Sequence, residues 1–139
     1  MRLLIGTDSE QAAIIHAANE MHASDPGTPL LVLLGAADAF SFRPRPSTIL
    51  VPGMPAGVIA AVPSLEEFGI ASRLASEAGL PGCYDGPVLE LAEQWLQAIE
   101  APLRAQVDMA IAGDDEFFKA AEELGGKFNV AKSRRLSRS

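Results

Sequence analysis

With 139 residues, 48% of them hydrophobic, the chain is sized for one domain around a single core. Its formal charge of −7 is uneven: residues 1–126 hold all 18 Asp and Glu against six Lys and Arg, a balance of −12 that disfavours nucleic-acid binding, which needs clustered cations. The single cysteine, Cys83, excludes an internal disulfide and cannot alone hold a structural zinc or an iron–sulfur cluster, and no apolar run approaches the ~20 residues of a membrane helix.

Arg2 to Gly6 form a short apolar run ending in glycine, followed by the capping residues Thr7, Asp8 and Ser9, so a strand, a turn and a helix over about 9–22 are expected. That helix has Ala12, Ile15, Ala18, Asn19 and His22 near one line and Ala13, Ile14, Ala17 and Met21 beside it, small residues suited to close packing on a sheet. Asp25-Pro26-Gly27 ends it. Leu30 to Leu34 is a second strand, continuously apolar as in a parallel sheet covered on both faces. Pro44 and Pro46 keep Arg43 and Arg45 extended, and Thr48 to Val51 is a candidate short strand. Val58, Ala61, Val62, Leu65 and Phe68 fit a helical stripe ending at Gly69, with Pro63 as a kink or a start.

Ile70 to Ser76 is the next strand, and Gly79 to Gly82 a loop into a helix over about 88–100 that buries Leu91, Trp95, Leu96 and Ile99. Val107 to Ala112 is a strand, Asp114 and Asp115 open a helix through Leu124, and Phe128 to Ala131 reads as a last strand. A single domain over 1–131 and a solvated basic tail over 132–139 follow. The alternation of strands and helices predicts a three-layer α/β fold, a doubly wound, mostly parallel sheet of about five strands with the first one central.

In such sheets ligands sit at the carboxyl ends of the strands where strand order reverses. The turns at Gly6 to Glu10, Ser76 to Gly79 and Ala112 to Glu116 are therefore the candidate sites. The first and third pair a glycine with a helix N-terminus, the geometry of a phosphate cradle. Their acids, Asp8, Glu10, Asp114, Asp115 and Glu116, oppose a pyrophosphate, and caps or dipole partners explain them without a ligand. Two carboxylates about 6 Å from a phosphate each cost ~1 kcal/mol at a dielectric near 60 and ~3 kcal/mol near 20. The helix termini return only ~0.3–2 kcal/mol each. His16 and His22, six apart, do not align as metal ligands, and no serine stands in a nucleophile elbow.

Leu-Leu-Ile-Gly (3–6), Leu-Val-Leu-Leu-Gly-Ala (31–36), Ser-Arg-Leu-Ala-Ser (72–76) and Val-Asp-Met-Ala-Ile-Ala-Gly (107–113), with Phe42 to Ser47, Pro55 to Ala61 and Pro81 to Gly86, carry a resemblance over about residues 2–130. The order resembles the pyridine-nucleotide-binding half of ferredoxin-reductase-type flavoproteins, most closely the dihydroorotate dehydrogenase electron-transfer subunit. The resemblance implies NAD(H) bound by Gly6, Thr7, Asp8, Ser76, Glu77, Gly113 and Asp114. A carboxylate at Glu77 accepts a free ribose 2′-hydroxyl and repels a 2′-phosphate, so NAD(H) is expected over NADP(H).

Departures from the family are also visible. The FAD barrel and the cysteine cluster of the two-iron, two-sulfur centre are expected to be missing, and Ala112-Gly113-Asp114 replaces the usual Cys-Gly-Pro turn. No catalytic residue and no metal site are assigned. Redox activity would require a separate flavin-binding protein, and the alternative is a non-catalytic interaction or regulatory module that binds no cofactor. A cytoplasmic protein without membrane or nucleic-acid partners is expected, with homo-oligomerisation left open. The purified protein should be colourless; a visible absorption band from near-stoichiometric flavin or iron would overturn this expectation.

Overall fold

The computed structural model describes residues 1–136. Strand β1 (Arg2–Thr7) enters a single 3-10 turn (Asp8–Glu10) and helix α1 (Gln11–Ser24), then β2 (Leu30–Ala36). Two-residue strands β3 (Arg45–Pro46) and β4 (Ala60–Ala61) pair antiparallel as a separate ribbon, and the single turn α2 (Pro63–Glu66) leads to β5 (Ala71–Ser76). Then follow β6 (Tyr84–Asp85), α3 (Val88–Ala98), the short α4 (Ala101–Arg104), β7 (Asp108–Ala112), α5 (Asp115–Lys127) and β8 (Lys132–Arg135). The main sheet runs β6-β5-β2-β1-β7-β8 with every neighbour parallel. It has six strands where about five were expected, the extra one being the short β6, and β1 is interior as predicted.

Alternation along the strands divides the core between two faces. Leu3, Ile5, Leu31, Leu33, Met109 and Ile111 pack under α3 and α5, with Trp95 and Leu91 at the centre. Leu4, Val32, Leu34, Leu74 and Ala110 face α1 and α2, through Ile14, Ala18 and Leu65. The layers are therefore helices, sheet, helices. No described helix is long and apolar enough to cross a membrane.

Three helix-docking contacts fall on glycines. A Cβ on Gly35 would lie 2.7 Å from Val88 Cβ, one on Gly6 2.5 Å from Ile14 Cγ1, and one on Gly113 2.4 Å from the Phe117 ring. Each helix thus presses its first turn onto a strand, or a strand end, that has no side chain there.

Four expectations change. Thr48 to Val51 forms no strand, and the longer helix ending at Gly69 shrinks to Pro63–Glu66. Val62 is extended (φ −83°, ψ 112°) and its N–H bonds the buried Ser72 Oγ at 2.9 Å, so Pro63 starts a helix instead of kinking one. The buried line of α1 is Gln11, Ile14 and Ala18, whereas Ala12 and Ala13 are exposed. The last strand begins at Lys132, because α5 continues to Lys127 and Asn129 turns the chain at φ 56°. Basic residues expected in a solvated tail thus pair with β7 by backbone bonds, which do not depend on side-chain polarity; Ser137 to Ser139 lie outside the described residues.

A strap over residues 47–55 closes the β5 side. Arg73, buried at 5% exposure, donates to the carbonyls of Ser72 and Ile49, both at 2.6 Å, and its Nε has no partner among the described residues. Burial pulls its guanidinium pKa down, and Glu66 opposes that. The partial burial of Glu66 raises its pKa, but bonds from Thr48 N–H and the Ser47 and Thr48 hydroxyls, with Arg73 beyond, hold it below the ordinary value. Trp95 Nε1 donates to Pro52 O at 3.0 Å. Gly35→Ala should cost about 1–3 kcal/mol, because Val88 must be displaced from the sheet. Urea unfolding of the variant checks this; unchanged stability would mean that α3 moves freely off β2.

Candidate functional site

Helix α1 leaves β1 over one face and α5 leaves β7 over the other, so strand order reverses between these two neighbours. The register pairs Gly6 with Ala112, which brings the turn Gly6-Thr7-Asp8 beside Gly113-Asp114 at the carboxyl edge. Thr7 Oγ1 donates to Gly35 O at 3.4 Å, tying the turn to β2, and Asp8 opens the 3-10 turn. Five of the seven sequence-predicted site residues therefore lie on adjacent strand ends at one edge of the sheet.

Ser76 and Glu77 stand apart on the same rim. Ser76 ends β5 and Glu77 follows it, separated from β1 by β2, which at about 4.8 Å per strand places them roughly 10 Å away across the sheet. The buried Ser76 hydroxyl accepts from Ala78 N–H at 3.1 Å and Leu80 N–H at 3.3 Å, so it shapes its own turn. The Glu77 side chain is exposed, and its N–H bonds Ala36 O. Asp38, exposed just past the end of β2, is one strand nearer to β1 and was not singled out from the sequence. Only strand order reveals that position.

The two glycines at this edge, and the acids Asp114 and Asp115, are engaged in packing or polar contacts. Ile14 and Phe117 occupy the space beside Gly6 and Gly113. Asp114, extended at φ −72° and ψ 178°, caps α5 by accepting Phe117 N–H at 2.8 Å. Asp115 meets Arg135 Nη1 at 2.5 Å, while Arg135 Nη2 donates to Gly113 O at 2.9 Å and the guanidinium lies 5.7 Å from the Phe118 ring centre. The sequence treated Arg135 as part of a tail; parallel pairing brings it to the rim, a long-range fact that composition does not carry. Phe117 and Phe118 N–H being taken, the Asp115 and Glu116 N–H groups are the donors of α5 that an anion would meet.

Elsewhere the chemistry is sparse. Among the described residues no cluster of three or more His, Cys, Asp and Glu is placed to hold a metal. Cys83 is half-buried, and burial raises its thiol pKa, away from the reactive thiolate. His16 lies 3.0 Å from Glu20 on the exposed side of α1. A cleft of about 790 Å³ runs between α1 and β8, lined by Ala13, His16, Ala17, Arg134 and Leu136, and by Ala112 at the end of β7.

No protein-family model matches the chain, and no curated protein or solved structure matches it either. Asp114→Ala should destabilise the fold by about 1 kcal/mol through loss of the cap, whereas Asp114→Asn should retain most of the stability. Denaturant midpoints for the pair decide it; equal losses would mean that charge, not the hydrogen bond, is what Asp114 contributes.

Proposed function

We propose that the chain is a nucleotide-binding domain of the NAD(H) type that takes part in electron transfer only with a separate flavin-binding protein. The observation that carries this is the reversal of strand order between β1 and β7, which sets Gly6, Thr7 and Asp8 beside Gly113 and Asp114 where doubly wound sheets hold ligands. Bound NADH would supply a hydride to the partner's flavin. This chain's contribution is to position: first-turn amides of α5 toward an anion, and Glu77 or Asp38 toward a ribose hydroxyl.

A second reading, an interaction module without cofactor, is favoured by one observation. Ile14 and Phe117 fill the spaces beside the two turn glycines, so those glycines serve helix docking and leave no gap for a closer phosphate approach.

Calorimetric titration with NADH, NADPH and AMP at low salt separates the readings, since unscreened charge matters most there. The nucleotide reading expects millimolar NADH binding and weaker NADPH binding. The double variant Asp8→Asn, Asp114→Asn should bind NADH about tenfold more tightly, because asparagine keeps the cap and removes the repulsion. Binding by neither protein would overturn the nucleotide reading, and micromolar binding without gain in the variant would show that the acids do not oppose the ligand.

A further inference from the structure

β7 is covered on both faces, its Ala110 and Ala112 packing with Ile14 and Ala18 of α1, whereas β8 is backed by α5 on one face. On the other face, α1 packs over β1 and β2 and stops short of β8, which leaves the cleft of about 790 Å³. That volume lies within the roughly 300–1,000 Å³ common for small-molecule sites. Its α1 wall is the line Ala12, Ala13, His16 and Ala17, of which the first three are exposed and Ala17 borders the core.

Paired residues of a parallel ladder project to the same face. Arg134 pairs with Ala110 and so projects to the α1 side, whereas Arg135 pairs with Ile111 and turns to Asp115 and Gly113 on the α5 side. Arg134 makes no ion pair among the described residues. The carboxylates nearby are otherwise disposed: Glu20 bonds His16, and Glu10 is buried and engaged. Arg134, without an ion pair among the described residues, thus lines the cleft opposite the alanines of α1, together with Leu136 and Ala112.

We infer that this cleft is a phosphate-bearing small-molecule site in which Arg134 holds the phosphate and the alanine wall of α1 takes the flat, less polar part of the ligand. The proposal rests on the nucleotide-binding reading, and it moves the phosphate from the acid-lined helix termini to β8. Arg presents a planar, always-charged fork suited to phosphate oxygens. A cation here also answers the electrostatic objection to that reading, since the rim acids oppose an anion at the helix termini.

Inorganic pyrophosphate, AMP and NADH are titrated into the full chain at low salt, with amide NMR shifts recorded for Ala13, Ala17, Ala112 and Leu136. Arg134→Gln and Lys132→Gln are compared; both side chains are exposed on the edge strand, and circular dichroism confirms that both variants fold. Pyrophosphate should shift the cleft amides, and Arg134→Gln should weaken its binding about tenfold, with little effect from Lys132→Gln. Equal losses in both variants would reduce the effect to bulk charge and overturn the proposal, as would shifts confined to Asp115 and Glu116 or no pyrophosphate binding at all. NADH binding that is indifferent to Arg134 would overturn the cleft proposal and leave the nucleotide reading standing. Pyrophosphate binding that depends on Arg134 without any NADH or AMP binding would do the reverse.

Discussion

Close approach of helix to strand is the constraint on which the rest of this structure depends. Gly6, Gly35 and Gly113 are bare where Ile14, Val88 and Phe117 arrive, and these contacts fix the heights of α1, α3 and α5 above the sheet. Once those heights are set, the first turns of α1 and α5 must stand at the carboxyl edge, side by side at the ends of β1 and β7. Glycines that sequence patterns associate with a ligand are in this fold the means by which helices sit down. The two uses compete for one space, and packing has taken it.

Electrostatics at the rim follow from the same arrangement. Asp114 is spent on the cap of α5 and Asp115 on Arg135, so the end of α5 carries less uncompensated charge than its composition implies. A body with twelve more acids than cations up to residue 126 places Lys132, Arg134 and Arg135 on one edge strand, beside β7.

The sheet was legible in the sequence because β1, β2, β5 and β7 are continuous apolar runs, and burial on both faces leaves such runs few alternatives. The cap at Asp114 was legible for a local reason: an acid immediately before a helical stripe. What escaped was decided at long range. Lys132 to Arg135 look solvated by composition, yet β7 offers them an open edge. Residues 56–62 look helical by period, yet Ser72 holds Val62 extended. Arg134, Arg135 and Asp38 gain their positions from strand order alone, and a single sequence carries no local signal of that. The alternation of strands and helices led to the right architecture, and the predicted site divided into a cluster at β1 and β7 and a separate pair at β5.

The strap over residues 47–55 has a consequence for motion. Its anchors close long loops, since Ile49 and Arg73 are 24 residues apart and Pro52 and Trp95 are 43 apart. Such contacts form only after β5 and α3 exist, and each carries a loop-closure cost. Releasing the strap would return the Arg73 guanidinium to water and recover part of the hydration that burial removed. Detachment is therefore expected to cost less than global unfolding, with the amides of this segment exchanging with solvent ahead of those of the sheet it covers.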